Sequence, residues 1–234
     1  MIASVTVRDV VSARVKPVVG QLAGGLIVSC QAYPGEPLHR PGIMPLMAVS
    51  AERGGAVAVR LEGIDDVKDA VNLVGVPVIG IVKRGVDGVC ITPTLDDALA
   101  LVEAGADVVA LDGTRRPRPD GYTLAQVVTA IRQASDVVIM ADCGSVNDAR
   151  AAFDARVDLV ATTLAGLTGE RHMTDGPDID LIRQIASHLP VPVIAEGRIQ
   201  TREHIRAARQ AGAYAVCVGS AITHPERTTH YLAA

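Results

Sequence analysis

The stretch VPVIGIVKRG, Val76 to Gly85, is an apolar run, rich in β-branched residues, that ends in two adjacent cations. Lysine is seldom fully buried without a partner, so a lysine closing such a run is either leaving the core for water or held at the mouth of a pocket. Seven more runs of similar character follow or precede it: GLIVSCQ, AVAVR, DVVALD, VVIMAD, LVATT, VPVIAEG and AYAVCVGS. Between most of them lie alanine-rich stretches such as TLDDALALVEAG and TREHIRAARQAG, each with a threonine to cap a helix and a glycine to end it. Runs without a polar face suit parallel strands covered on both sides. Eight strand–helix units in 234 residues predict an α/β fold, a (β/α)8 TIM barrel forming one domain over residues 1–234, with 1–24 as a leading N-terminal helical segment and 25–234 as the barrel. The competing architecture is an open doubly wound sheet. It would more often carry a G-x-G-x-x-G after the first strand, and none stands there.

Composition narrows the function classes. Hydrophobic residues make up 49% of the chain and aromatics only 2%, so the core must be built from Ala, Val, Leu and Ile. The net charge is −4 and the basic residues are scattered without aromatic interleaving, which removes the footprint of a nucleic-acid binder. Cys30, Cys90, Cys143 and Cys217 form neither a CxxC pair nor a Cys/His cluster, so neither a disulfide nor a structural metal is expected. Arg8, Asp9, Arg14 and Lys16 interrupt the N-terminal segment, and the reading is a cytoplasmic protein without signal peptide or membrane span.

Active sites of such barrels lie at the C-terminal ends of the strands, so the last residue of each run carries the functional reading. Those residues are Gln31, Arg60, Lys83, Asp112, Asp142, Thr163, Glu196 and Ser220. Side chains alternate along a strand. Ile79 and Ile81 therefore share a side with Lys83, and Val138 and Met140 share one with Asp142. The inward rows should converge on one mouth, making Lys83 a pocket lysine and turning Arg84 toward the helix layer or solvent. Asp112 opens the loop DGTRRPRPDG and reads as a turn cap, and Arg115, Arg116 and Arg118 as a solvated basic loop. The six histidines are assigned no catalytic role.

The eighth run closes as VGSAITHPE, a Gly-Ser pair just before a short helix, and the seventh loop reads EGRIQT. Loops after strands seven and eight of these barrels often hold a phosphate on backbone N–H groups at a helix N-terminus. Gly197, Arg198, Gly219 and Ser220 are the expected phosphate-binding residues, which makes the ligand a small phosphorylated metabolite. Lys83 and Glu196 stand four strands apart and face each other across the ring. A lysine amine is a poor base near neutrality until burial or a neighbouring cation favours its free form, and Arg60 is the cation at hand. An amine and a carboxylate over a sugar phosphate suit either proton abstraction α to a carbonyl or Schiff-base formation. Composition and spacing leave both open.

The segments LIVSCQAYPGEPL, GGAVAVR, VIGIVKR, ITPTLDD, ALDGTRRPRPDG, MADC, TTLAGLT, VIAEGRI and GAYAVCVGSAIT resemble, in order and spacing, the bacterial N-acetylmannosamine-6-phosphate 2-epimerases. The resemblance implies a TIM-barrel isomerase without metal or organic cofactor, interconverting N-acetylmannosamine 6-phosphate and N-acetylglucosamine 6-phosphate in amino-sugar or sialic acid catabolism. It also implies that Lys83 and Glu196 are the catalytic pair and that Gln31, Arg60 and Asp142 contact the sugar. The chain departs from the family pattern at Ala165 and Leu167, where relatives usually have Ser and Tyr, and at Gly144, where Ser is common. Loops five and six are therefore expected to hold the substrate differently. The short C-terminus leaves little for an eighth helix, so a homodimer is expected to cover the exposed flank. The alternatives are a Schiff-base aldolase, an epimerase of another sugar phosphate, and a non-catalytic phosphometabolite sensor.

Overall fold

The structure, a computed structural model, describes residues 17–85 and 87–233. Eight parallel strands close into a barrel in sequence order: β1 Leu26–Cys30, β2 Ala58–Glu62, β3 Val78–Ile81, β4 Val108–Asp112, β5 Val138–Asp142, β6 Leu159–Ala161, β7 Val193–Glu196 and β8 Ala215–Val218. The helices between them are α2 Ile43–Arg53, α3 Ile64–Val71, α4 Leu95–Glu103, α5 Leu124–Ala134, α6 Val146–Asp154, α7 Ile179–His188 and α8 Arg202–Gln210. Before β1 comes α1, Pro17–Gln21; after β8 come α9, Ser220–Thr223, and α10, Pro225–Ala233. Of the expected leading segment, residues 1–16 lie outside the described residues.

Strand alternation divides the apolar residues into two cores. Ile27, Ala58, Ile79, Ile81, Val138, Met140 and Ile194 pack inside the barrel, whereas Val28, Val59, Leu61, Val109 and Ile139 pack against the helices. Lys83 and Asp142 follow the inward rows, as their parity predicts. Near-absence of aromatics brings the helices close. A Cβ on Gly80 would lie 2.8 Å from Leu101 Cδ2 and 3.2 Å from the Ala106 methyl, so this strand position admits only glycine at the observed spacing. Val19 of α1 and neighbouring Leu22 join the interior core, and Tyr214 Oη donates to Val19 O at 3.1 Å. The leading helix thus plugs the end of the barrel where the strands begin, leaving the other end for chemistry.

Threonine caps start the helices as the sequence predicts: Thr94 Oγ1 accepts from Asp97 N, and Thr201 Oγ1 from His204 N. Such a cap contributes about 1 kcal/mol. The strand ends differ in one instructive case. The AVAVR run was expected to end at Arg60, but β2 continues through Leu61 to Glu62, and Arg60 sits mid-strand in register with Ser29 and Ile79. The chain can bury this charge because carboxylates reach it from across the barrel, so a cation here does not mark the meeting with water.

Candidate active site

One cavity of about 660 Å³ opens at the C-terminal ends of the strands, and Gln31, Arg60, Lys83, Glu196, Gly219 and Ser220 are among the residues lining it. Lys83 stands just past the end of β3 and Glu196 closes β7, four strands apart in the ring. Arg60 is the floor between them, with only 1% of its surface exposed. Its Nη1 donates to Asp142 Oδ1 at 3.0 Å and to Glu196 Oε2 at 2.8 Å, and its Nη2 donates to Asp142 Oδ2 at 2.6 Å. A bidentate guanidinium–carboxylate pair fixes orientation as well as charge. Thr163 Oγ1 adds a 2.7 Å bond to Asp142 Oδ1, and the Thr162 hydroxyl accepts from Glu196 N and donates to Glu196 O.

Burial works against the Arg60 charge, yet the Asp142 and Glu196 carboxylates outweigh it and hold the guanidinium firmly protonated. Glu196 moves the other way. Burial raises its carboxyl above the usual range, Arg60 opposes the rise and Asp142 adds to it. The rise favours the protonated form of Glu196, and a proton donor must carry a proton. Cys217, in register with Glu196 on β8, is buried, and burial followed by the nearby Glu196 charge pushes its thiol well above the ordinary range. It stays an S–H group rather than a thiolate nucleophile.

Lys83 lies two residues beyond the end of β3. Its backbone N–H donates to Glu62 Oε1 at 3.1 Å, and it forms an isolated antiparallel bridge with Ile91. Arg84, next to it, turns outward and donates to Asp97 Oδ1 at 2.7 Å, as parity requires. Arg60, expected to act as a cation upon Lys83, is instead committed to Asp142 and Glu196. Gln31 donates through Nε2 to Ser29 Oγ at 2.6 Å, while its buried Oε1 has no partner among the described residues. That oxygen is free for a ligand N–H or O–H.

At the seventh loop, Gly197 takes φ 105° and Arg198 φ 56°, two successive residues in the region that disfavours side chains. The Arg198 guanidinium is spent on the loop after β6: Nε donates to Gly176 O, Nη1 to Ala165 O and Nη2 to Thr174 Oγ1, at 2.9–3.1 Å. It lines the cavity as a loop brace rather than as a free cation. In the basic loop after β4, Arg115 is exposed and Arg116 half-buried, yet none of the three arginines is without an acceptor. Arg118 is buried and donates to Asp112 O and Thr92 O, Arg116 pairs with Asp112, and Arg115 pairs with Asp148 and Glu170. Asp112 does cap its turn, accepting from Thr114 N at 3.0 Å.

The three departures noted in the sequence meet in one place. A Cβ on Gly144 would stand 2.4 Å from Thr168 Oγ1 and 3.0 Å from Leu164 O, so the loop after β6 packs where a larger side chain would go. Ala165 is buried in that loop and supplies a carbonyl to Arg198, while Leu167 lines the cavity from its exposed side. Sequence reading missed Ser29, Tyr33, Cys217, His224 and Arg227, all of which line the cavity. Ser29 and Cys217 were accessible through parity, standing two residues before Gln31 and Gly219. Tyr33, His224 and Arg227 come from loops and α10, where no period marks a direction.

A sequence profile of the family described as "Putative N-acetylmannosamine-6-phosphate epimerase" matches residues 44–234. The chain belongs to this epimerase family. It is 54% identical to a protein of Cutibacterium acnes named "Putative N-acetylmannosamine-6-phosphate 2-epimerase", over 91% of this chain and 93% of that one. A protein of the same name from Caldanaerobacter subterraneus is 43% identical, with 91% of each chain covered. Among solved structures, the N-acetylmannosamine-6-phosphate 2-epimerase from Clostridium perfringens superposes with a TM-score of 0.89 at 36% identity, covering 93% of this chain and 96% of its own. A thiamine phosphate pyrophosphorylase from Pyrococcus furiosus, at 18% identity and TM-score 0.61, shares the barrel fold alone.

Proposed function

We propose that the chain interconverts N-acetylmannosamine 6-phosphate and N-acetylglucosamine 6-phosphate at C2. The observation that carries this reading is the presence of Lys83 and Glu196 on opposite walls of one cavity, over an Arg60–Asp142 floor. The C2 proton is acidic only in the open-chain aldehyde. Lys83 Nζ takes it, the C2–H electron pair moves into a C1–C2 double bond, and the carbonyl oxygen becomes the enolate oxygen. A proton then returns to C2 on the opposite face from Glu196, whose carboxyl is raised by burial. The C1 carbonyl re-forms, leaving Lys83 as the ammonium and Glu196 as the carboxylate, and proton exchange with solvent or the reverse reaction restores both groups. These transfers call on a base and an acid that the chain supplies, with no metal or organic cofactor in the scheme.

Gln31 Oε1, buried and unpartnered, is placed to accept a hydrogen bond from the sugar, and Asp142 holds Arg60 rigid beneath it. The phosphate goes to Gly197, Gly219 and Ser220, where the first turn of α9 has N–H groups without helical partners. Arg227, whose guanidinium reaches the same rim, takes the charge role first assigned to Arg198. A phosphorylated sugar does not cross a membrane unaided, which favours the reading of a cytoplasmic enzyme. The α10 helix buries none of its residues, and a homodimer that covers it is the expected assembly, to be checked by light scattering.

The test is deuterium uptake at C2 from heavy water, followed by NMR with N-acetylmannosamine 6-phosphate. Wild type exchanges and epimerises; Lys83→Ala does neither. Glu196→Gln loses epimerisation but retains exchange from one epimer. Exchange surviving in Lys83→Ala removes Lys83 as the base, and borohydride trapping of substrate on Lys83 would mean an imine enzyme.

A further inference from the structure

We propose that Tyr33, in the loop after β1, is the residue that positions the Lys83 amine. This rests on the reading of Lys83 as the base. Lys83 stands beyond the β3 ladder, where only its backbone is held, and a lysine side chain is a flexible four-carbon stem. Among the described residues its end is held by Tyr33 alone: Nζ donates to Tyr33 Oη at 3.2 Å and lies 4.6 Å from the ring centroid. A ring face attracts an ammonium, so the two contacts act together on the charged form.

The chemistry explains why a phenol suits this place. A base must be held both as free amine and as ammonium. A hydroxyl both donates and accepts, so by turning its proton it donates to the amine and accepts from the ammonium. A carboxylate in its place could only accept, and would hold the lysine as the ammonium. Tyr33 thus steadies the amine through both halves of the cycle.

Tyr33 is itself anchored. Its N–H donates to Glu36 Oε2 at 2.8 Å, Glu36 N donates back to Tyr33 O at 2.9 Å, and Glu36 Oε1 lies 3.4 Å from His224 Nδ1. The Tyr33 and His224 rings lie 5.6 Å apart at 31°. The Arg227 guanidinium sits 5.6 Å from the Tyr33 centroid. The loop after β1 is therefore strapped to the turn between α9 and α10, and the strap passes directly over the base.

Two measurements test this. The chain has three lysines, Lys16, Lys68 and Lys83, so lysine labelled with carbon-13 gives three ε-methylene signals, and Lys83→Ala identifies the third. That signal is shifted upfield by the Tyr33 ring in wild type and in Tyr33→Phe, and returns to the position of a free lysine in Tyr33→Leu. In kinetics with N-acetylmannosamine 6-phosphate, Tyr33→Phe lowers kcat and C2 exchange about threefold and Tyr33→Leu about tenfold, with KM within about twofold, because the lost contact is to the base and not to the sugar. An unshifted Lys83 signal in wild type, or Tyr33 variants with wild-type kcat, or a change confined to KM, would overturn the proposal while Lys83→Ala still tests the base. Wild type inactive toward this sugar phosphate, with the Lys83 signal shifted, would instead sink the functional reading alone and leave the Tyr33 contact in place. Because Tyr33→Phe keeps the ring and its packing, a folding failure of Tyr33→Leu leaves the kinetic test intact.

Discussion

Replacing Arg60 with methionine keeps much of the side-chain volume and removes the one charge that Asp142 and Glu196 share. Asp142 is fully buried and the Glu196 side chain is 11% exposed, so neither carboxylate can turn to bulk water for compensation. Removing one partner of a buried pair costs about 3–5 kcal/mol, because it strands the other. For a domain of this size that corresponds to a fall of roughly 6–20 °C in Tm. The pH dependence gives the reasoning a sharper edge. Glu196 already has its carboxyl raised by burial, against the opposing pull of Arg60, and losing Arg60 raises it further. A carboxyl raised in the folded state binds more protons there than in the unfolded chain, so stability falls as pH rises from the ordinary carboxylate range through the folded value. The deficit of Arg60→Met relative to wild type should therefore be smallest near pH 5 and grow toward pH 8. Urea unfolding followed by far-UV circular dichroism at both pH values measures it. A loss under about 1 kcal/mol, or one of equal size at both pH values, would show that the guanidinium is not what holds the two carboxylates in the barrel.

Two further outcomes concern the loops that frame the cavity. Gly144→Ser pushes a Cβ into Thr168 and should cost about 1–3 kcal/mol, with Thr168→Ala restoring more than half of it in the double variant; a Gly144→Ser protein melting with wild type would refute the packing argument. Arg198→Lys should raise KM as far as Arg198→Ala does, severalfold, because an ammonium cannot span the three acceptors that the planar fork reaches. If the lysine variant instead keeps the wild-type KM, the charge of Arg198 acts on the phosphate and its bracing of the loop is secondary.

The barrel was legible because its signals are local. A strand covered on both faces must be apolar throughout, a helix needs a cap and a stop, and both requirements are written within a dozen residues, as in VPVIGIVK and TLDDALALVEAG. Parity carried the reading further and correctly paired Lys83 with Ile79 and Ile81, and Asp142 with Val138 and Met140. It failed where a charge was taken for a strand end. Arg60 looks like a chain leaving the core, and only Asp142 and Glu196, 82 and 136 residues away, make it a buried floor. The same limit applied to Arg198 and to Arg115, Arg116 and Arg118. Each reads as a free cation in a polar loop until its acceptors, some of them backbone carbonyls of distant segments, arrive by folding.

Sequence alone settled the architecture and the family, because strand periodicity, chain order and motif order are properties of the chain itself. Tertiary structure decided which charges are available for chemistry. It paired Arg60 with two carboxyls, withdrew Arg198 into a loop, and set Tyr33, with His224 behind it, against Lys83. Availability depends on what closes in three dimensions around a group, and a guanidinium, a phenol or an imidazole carries no mark in one dimension of the partner it will meet.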